Sequence, residues 1–374
     1  MNVRRSPERD RQLMRRALEL AARGLGETNP NPAVGCVVAR DGRVVGEGWH
    51  QRAGGPHAEV VALGRAAGRA RGATLYVTLE PCAHFGRTPP CAPLVRDSGV
   101  DRVVVAIGDP SPAVRGRGLA LLRRAGIAVE TGVLGAEAAR LNERFLTFAT
   151  LLRPYVLLKA AITLDGRIAT ASGRSKWITS PGQRRQARWL RRLHDAVLVG
   201  IGTVLADDPL LLPTPRTRRG FVRVVLDSGL RLPVRSRLVR TASARAPVLV
   251  LACRDEPARR RALEDAGVTV LQVEAEAGRV ALRPALGVLA ARGVTSLLVE
   301  GGSEALGSFL AARLVDGVAL FRAPLLLGGR HSRPAFGGQD PAEIAEALRL
   351  APVPGEPQFP WPWPLQFELW RPRR

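Results

Sequence analysis

The chain has 374 residues, enough for two domains of ordinary size, and its 46% hydrophobic and 24% charged residues suit a globular fold rather than a disordered chain. No apolar run approaches the roughly 18 residues of a membrane span, the opening residues hold no secretory hydrophobic segment, and four cysteines are too few for a disulfide framework, so a cytoplasmic protein without membrane contact is expected. The formal charge of +23 would ordinarily point to nucleic acid, yet all but Lys159 and Lys176 of the 56 basic residues are Arg, the excess runs through both halves, and two tyrosines make a poor base-stacking platform. The charge is read as solvated surface that also attracts phosphorylated small molecules, with no nucleic-acid partner.

Along the chain, residues 11–23 carry a helical apolar face. Val34–Ala39 and Arg43–Gly48 read as a hairpin through Asp41-Gly42. A helix is expected from His57 to about Ala67, a strand over Thr74–Leu79, a short helix after Glu80-Pro81-Cys82, and a strand over Val100–Ile107. Gly118–Ala125 is helical and Ala128–Val133 strand-like, and one connecting helix is expected over Ala136–Leu152. This alternation predicts an α/β domain over residues 1–150, with helices covering a sheet. The pattern then restarts, so residues 151–374 form a second α/β domain. Its strands are expected at Tyr155–Ile162, Ala196–Gly200, Val222–Asp227, Ala246–Ala252, Val268–Gln272 and Ser296–Glu300, with a helix at Gln183–Leu193. Pro209–Gly220 reads as a surface loop, Pro352–Pro364 as an irregular connection, and Leu365–Trp370 as the last strand.

The sharpest chemical signal is His57-Ala-Glu59 with Glu80-Pro-Cys82 and Cys91. Zinc takes neutral imidazole and thiolate, and a catalytic zinc keeps three protein ligands and one open place. A helix starting at His57 and another near Cys82 would favour ligation, since a helix N-terminus stabilises a thiolate. Glu59, two residues past the first ligand, is placed to move protons. His-x-Glu…Pro-Cys…Cys is the pattern of zinc nucleobase deaminases. A lone cysteine would be read as a buried apolar group, but here two Cys and a His fall into one motif in the expected order. Nucleic-acid deaminases usually separate the cysteines by two residues. This chain has eight, Ala-His84-Phe-Gly-Arg87-Thr88-Pro-Pro, which offer polar groups for a phosphate or ribose. Cys36 lies in an apolar strand and reads as core, and His50 reads as structural.

Three weaker signals meet in the second half. Val197-Leu-Val-Gly200-Ile-Gly202-Thr203 is a strand feeding a glycine turn; Leu297-Leu-Val-Glu300-Gly301-Gly302-Ser303 is a strand leading into a helix, Glu304–Ala312; and Lys159 and Lys176 are compact ammoniums where the chain otherwise uses Arg. Each alone is as compatible with ordinary turns and surface charge. Together they suggest a dinucleotide site without the Gly-x-Gly-x-x-Gly fingerprint.

With these residues in view, the whole chain resembles the bifunctional riboflavin-biosynthesis deaminase/reductase family. The resemblance is carried by Asn29-Pro-Asn31-Pro-Ala-Val-Gly35, His57-Ala-Glu59, Pro81-Cys82 through Cys91, Asp109-Pro-Ser-Pro and Gly116-Arg-Gly118. It continues through Lys159–Gly166, Ser175-Lys-Trp177-Ile-Thr179-Ser, Asp195–Pro209 and Glu300-Gly-Gly-Ser. It implies a cytidine-deaminase-like three-layer α/β/α domain followed by a dihydrofolate-reductase-like α/β domain. It also implies one Zn2+ held by His57, Cys82 and Cys91, with Glu59 as the proton shuttle. Asn31, His84, Arg87 and Thr88 would contact the substrate, a phosphorylated ribosylaminopyrimidine. In the second half it implies NADPH bordered by Ala161, Trp177, Thr203, Ser228 and Gly302, Ser303, Glu304, Ala305, Leu306, Gly307 and Ser308. Ser175, Arg191, Asp207, Leu211 and Glu300 would border the ribosyl phosphate, with Lys159 and Asp207 polarising or protonating the opened sugar. Dimerisation through the second domain is a further implication. The chain departs from the family at Ser111, where Asn is common, at Thr214, where the loop commonly carries an Arg (here the next is Arg216), and at Leu325, commonly basic. The competing readings are a deaminase with an impaired reductase half and a polynucleotide deaminase.

Overall fold

The computed structural model describes residues 6–86, 88–112, 114–353 and 366–373. They divide into two compact units, one ending at Leu151 and the other beginning at Leu152.

The first unit comprises α1 (Pro7–Ala22), β1 (Gly35–Arg40), β2 (Arg43–Trp49), α2 (Ala58–Ala66), β3 (Thr74–Leu79), α3 (Cys91–Asp97), β4 (Arg102–Ile107), α4 (Arg117–Arg124), β5 (Ala128–Thr131), α5 (Gly135–Leu141) and α6 (Glu143–Leu151). Its sheet runs β2-β1-β3-β4-β5, antiparallel on either side of β1 and parallel from β3 onward. The hairpin turn uses positive φ at both Asp41 (50°) and Gly42 (73°), the geometry that matches strand twist. Alternation at period two then buries both faces. Val37, Tyr76 and Val104 pack under α1 and α5, while Val38, Val77 and Val105 pack under α2, α3 and α4. Three layers result. Ser6 caps α1 through the Arg9 amide with Pro7 in the first turn. Asp10 ties that helix to the sheet by accepting from Tyr76 Oη (2.6 Å) and both Arg102 terminal nitrogens (2.8 and 2.7 Å).

The second unit comprises β6 (Tyr155–Ile162), β7 (Arg167–Ala169), α7 (Pro181–Leu190), β8 (Ala196–Gly200), α8 (Ile201–Asp207), β9 (Val222–Leu226), α9 (Arg237–Arg240), β10 (Val248–Ala252), α10 (Pro257–Asp265) and β11 (Thr269–Gln272). It continues with β12 (Ala275–Glu276), β13 (Arg279–Val280), α11 (Leu282–Ala291), β14 (Ser296–Val299), α12 (Ser303–Ala311), β15 (Gly317–Arg322), β16 (Arg333–Pro334), β17 (Leu350–Pro352) and β18 (Glu368–Pro372). Nine of these strands form one sheet, β11-β10-β9-β8-β14-β6-β15-β18-β17, parallel as far as β15 and antiparallel beyond it. One face packs Leu158, Leu198 and Leu297 against Leu286 and Phe309 of α11 and α12; the other packs Val197, Val225 and Val250 against Leu238 and Leu263 of α9 and α10. Each such fully buried aliphatic side chain contributes about 1.5–3 kcal/mol of transfer free energy. In a sheet of this kind ligands sit beyond the carboxyl ends of the strands. Ala161 and Gly200 lie at those ends of β6 and β8, and Ser228 and Glu300 follow those of β9 and β14.

Four expectations need correction. The helix foreseen over Ala136–Leu152 is two, broken at Asn142, whose side chain turns away to bond both the amide and the carbonyl of Ala33 (2.8 and 2.9 Å). The helix foreseen near Cys82 starts instead at Cys91, because Pro89-Pro90 holds the preceding backbone extended, and Cys82 lies in the irregular segment before it. Pro209–Gly220 has no regular structure but is not wholly surface, since Leu211 and Pro213 are buried. The last strand is Glu368–Pro372 rather than Leu365–Trp370; Leu365 and most of the Pro352–Pro364 connection lie outside the described residues. No helix among the described residues is long and apolar enough to cross a membrane.

Candidate active sites

In the first unit, the strand-to-helix transitions bring three donors together. His57 is the N-cap of α2, Cys91 opens α3, and Cys82 follows β3. His57 Nδ1 lies 3.2 Å from Cys91 Sγ and 3.6 Å from Cys82 Sγ, and one ligand atom from each residue falls within 4.8 Å of the others. Donation from the Cys91 thiol, the His57 ring and the Cys91 amide (3.4 Å) holds the Cys82 thiol down at about 4 against the opposing effect of burial. The same contact pushes the Cys91 thiol up, and the Cys82 partner raises His57. One proton set shared among an imidazole and two sulfurs is the donor chemistry of a soft divalent ion, which binds by displacing protons. The residues fit zinc. Thr88, expected to touch substrate, lines the neighbouring cavity and also meets His57 Nε2 at 3.1 Å, where it orients the ring with Nδ1 towards the sulfurs.

A cavity of about 330 Å³ opens beside this trio, lined by His57 and Cys82. Glu59 lines it while only 3% exposed, and burial pushes its carboxyl up to about 7. That is a suitable range for giving and taking a proton near neutrality. Asn31, His84, Asp109 and Ser111 also line the cavity; Arg87 lies outside the described residues. His50, read as structural, has a directing role. Its Nδ1 lies 3.0 Å from the Pro56 carbonyl and its Nε2 3.2 Å from Asn31 Nδ2. A carbonyl only accepts, so Nδ1 carries the proton, Nε2 accepts from the Asn31 amide, and Asn31 offers a ligand its carbonyl oxygen. Burial holds His50 below its ordinary range, in keeping with a neutral ring. Cys36 is fully buried core.

Two residues to which the sequence reading assigned no role hold the cavity walls. Asn142 clamps Ala33, beside the Pro30–Pro32 lining. Glu80 accepts from the amides of Asp109, Gly116, Gly118 and Leu119. The signal for Glu80 was the pair Gly116 and Gly118: the first has φ of 74°, and a Cβ on the second would lie 1.9 Å from the Pro81 carbonyl.

In the second unit, Glu300 follows β14 and accepts a two-pronged contact from Arg191 (Nε to Oε1 2.6 Å, Nη2 to Oε2 3.0 Å), with Lys159 Nζ 3.8 Å from Oε2. Arg191, which without the family would pass for a surface helix residue, sits in the 3₁₀ turn Arg191–Leu193 with its side chain only 13% exposed; it also donates to the Leu212 carbonyl at 2.8 Å. Burial pulls Lys159 below its ordinary range, opposed by Glu300. Asp207 joins Lys176 rather than Lys159, at 3.0 Å. Trp177 is no core aromatic: it is 70% exposed with the Arg184 guanidinium 4.3 Å over its ring. Ser175 is half-buried on the same loop.

The glycine turn expected at Gly200–Gly202 is the start of α8, capped by Gly200. Gly302 caps α12, whose first intrahelical bond is Leu306 to the Gly302 carbonyl, so the amides of Ser303–Ala305 precede the ladder. Thr203 is close by: a Cβ on Gly302 would lie 3.3 Å from its Oγ1. This backbone end is suited to an anionic cofactor group. Of the remaining expected cofactor neighbours, Leu306 is core, Ala305 and Gly307 are buried, and Glu304 pairs with Arg279 at 3.0 Å. Ser308 donates to the Glu304 carbonyl. Leu211 buries its side chain in the cluster that holds Val204 and Leu232.

Comparison with known proteins agrees with this two-part layout. Residues 7–107 match the cytidine and deoxycytidylate deaminase zinc-binding region, and residues 154–353 match the RibD C-terminal domain. The chain is 46% identical over 322 residues to riboflavin biosynthesis protein RibD of Aquifex aeolicus, covering 86% of this chain and 88% of that one. Against the Escherichia coli RibD it is 43% identical over 332 residues, covering 85% and 89%. Among solved structures, Acinetobacter baumannii RibD superposes with a TM-score of 0.84 at 37% identity, covering 98% and 99%. A Thermotoga maritima diaminohydroxyphosphoribosylaminopyrimidine deaminase/5-amino-6-(5-phosphoribosylamino)uracil reductase superposes with 0.83 at 37%, covering 98% and 99%. With a deaminase fold carrying a His-Cys-Cys centre joined to a reductase fold carrying a charged crevice, the chain belongs to the RibD family of riboflavin biosynthesis enzymes, which pair a deaminase with a reductase.

Proposed function

We propose that the first unit, over about residues 1–150, hydrolytically deaminates 2,5-diamino-6-ribosylamino-4(3H)-pyrimidinone 5′-phosphate. The second, over 151–374, then reduces the ribosyl group to ribityl, giving 5-amino-6-ribitylaminouracil 5′-phosphate. The observation that carries this reading is the convergence of His57, Cys82 and Cys91 next to a cavity that His57, Cys82 and buried Glu59 line. His57, Cys82 and Cys91 would hold one zinc, which when bound supplies the Lewis acidity that makes water nucleophilic near neutral pH. Glu59 takes a proton from the attacking water and passes it to the departing amine, so a C–O bond forms, the bond from the ring carbon to its exocyclic amine breaks, ammonia leaves, and the second water proton ends on the adjacent ring nitrogen. Asn31, held by His50, presents an acceptor to a ring N–H or amino group. His84, Arg87 and Thr88 complete the substrate side.

For the second step, Gly302–Ser308, Thr203, Ser228, Ala161 and Trp177 would border NADPH, which when bound supplies hydride to C1′ of the opened sugar imine. Ser175, Arg191, Asp207, Leu211 and Glu300 border the ribosyl phosphate. Lys159 stabilises or protonates the atom that gains electron density, and Asp207 serves the same end from the α8 side. The enzyme is read as cytoplasmic, homodimeric through its second unit and without a nucleic-acid partner.

The test is two separate assays of the full chain: ammonia release from the diaminopyrimidine and NADPH oxidation with the deaminated intermediate. Both activities are expected, with one zinc per chain. Ammonia release without NADPH oxidation would favour an impaired reductase, a reading motivated by Thr214 in place of an Arg. Deamination of single-stranded polynucleotide in preference to the small substrate would overturn the proposal.

A further inference from the structure

Glu80 is 4% exposed and lies at the end of β3, two residues before Cys82. Its carboxylate faces backbone only. Oε2 accepts from Asp109 N (3.3 Å) and Gly116 N (3.1 Å), and Oε1 accepts from Gly118 N (3.0 Å) and Leu119 N (3.3 Å). Four amides from one stretch of chain therefore converge on one side chain. Gly118 and Leu119 belong to the first turn of α4, where amides lack intrahelical partners and negative charge is favoured. Asp109 is the point where the chain leaves β4, and Asp109 Oδ1 accepts from Ser111 N at 2.8 Å, closing a tight turn. Asp109 and Ser111 both line the cavity with His57, Cys82 and Glu59. Glu80 itself also borders this cavity, with its carboxylate oxygens turned to the four amides.

We propose that Glu80 is a positioning residue of the deaminase half: by gathering these four amides it fixes the wall that presents Asp109 and Ser111 to the pyrimidine substrate. The alternatives are that it only caps a helix, or that it acts on Cys82. The geometry separates them. A cap needs only the two α4 amides, yet Glu80 also binds Asp109 and Gly116, which come before the helix. An effect through Cys82 would have to pass along Pro81, whose carbonyl packs closely on Gly118, where a Cβ would come within 1.9 Å. Loosening Glu80 therefore releases the 109–119 segment first. Substrate would bind less well to a wandering wall, while the zinc donors and Glu59 keep the chemical step.

The inference rests on the deaminase reading, and the experiment keeps the two apart. Glu80→Gln preserves shape but turns one acceptor oxygen into an amino group that opposes two N–H donors. In the full chain we expect KM for the diaminopyrimidine to rise at least tenfold, with kcat within about threefold of wild type, one zinc per chain and unchanged NADPH oxidation. Hydrogen exchange at Gly116, Gly118 and Leu119 should quicken at least tenfold, with the amides of α2 and α3 unaffected. The exchange readout does not depend on activity. If Glu80→Gln is insoluble, Glu80→Asp, which keeps the charge but reaches fewer amides, should show the same KM rise. Unchanged KM and exchange in a wild-type background that deaminates overturns the role of Glu80 while leaving the deaminase reading intact. Loss of zinc, or a fall in kcat with KM unmoved, overturns it as well. A wild-type chain that releases no ammonia overturns both.

Discussion

Replacing Arg191 by Met tests whether the charged crevice of the second unit is held as a unit. The substitution keeps the aliphatic stem and removes the guanidinium that grips Glu300 at 2.6 and 3.0 Å and the Leu212 carbonyl at 2.8 Å. Glu300 is 7% exposed on its side chain, so its charge cannot fall back on water. Removing one partner of a buried ion pair costs about 3–5 kcal/mol. Lys159 at 3.8 Å remains and puts the expected loss near the lower end, about 3 kcal/mol. For a unit of roughly 200 residues that is a fall in Tm of about 6–12 °C. The pH dependence has a definite sign. Burial pushes the Glu300 carboxyl up, but Arg191 and Lys159 outweigh it and bring it below 4.5. In wild type this stabilisation is therefore fully present above 4.5 and is lost as pH falls through the lower folded value. In Arg191→Met burial dominates, the folded value rises above 4.5, and protonation relieves the strain as pH falls towards it. Calorimetry of the two proteins should show the widest gap near about pH 8 and a narrower one near about pH 5. A loss below about 1 kcal/mol at the higher pH, or a gap that does not narrow, would refute the account.

The other expectations concern single groups. Glu59→Gln should lower ammonia release by about 10²–10⁴ while zinc content and NADPH oxidation persist; retained deamination removes Glu59 from the proton path. Dialysis against a chelator should strip one zinc per chain and abolish ammonia release alone, and full activity in a zinc-free sample would rule out the metal role. Gly307→Ala would place a Cβ 1.6 Å from the Gly337 carbonyl, forcing the 335–338 segment off α12. Overpacking of this kind costs about 1–3 kcal/mol and should raise KM for NADPH, and an unchanged melting curve would contradict the close approach. Asn142→Ala should cost about 1–3 kcal/mol by leaving the Ala33 amide and carbonyl unpaired, with a higher KM in the deaminase assay that reports displacement of the Pro30–Pro32 wall.

What the residues declared on their own follows from how local each requirement is. Zinc accepts few side-chain types, so His57, Cys82 and Cys91 announce themselves even though 25 and 34 positions separate the histidine from the sulfurs. The buried sheets were equally plain, because Val37–Val38 and Val103–Val105 must satisfy both faces of a strand at once. The reductase site was hinted at by its glycine turns and two lysines, and its residue roles were legible only through the family resemblance. It is built from backbone amides at Gly302–Ala305, which show only as a common Gly-Gly-Ser turn, and from a salt bridge between residues 109 positions apart, which leaves no local pattern.

Glu80 and Asn142 mark the same boundary from the other side. Both are ordinary polar residues whose partners are peptide groups, and any amino acid but proline can donate a backbone amide. Nothing in the identity of Leu119 or Ala33 records the bond it makes. The donor side of such a bond is invisible in sequence, and only its steric consequence surfaces, as at Gly118 where no side chain fits under Pro81. The same reasoning explains why the break in the helix over 136–152 leaves no mark in the sequence: the apolar periodicity continues through Asn142, which ends α5 with φ −104° and ψ 18° while its side chain bonds the amide and carbonyl of Ala33, 109 residues away. Site residues recognised by their own chemistry thus stand on supports recognised only by their geometry. A substitution in the second group should therefore change how tightly substrate is held before it changes what the zinc donors and Glu59 do to it.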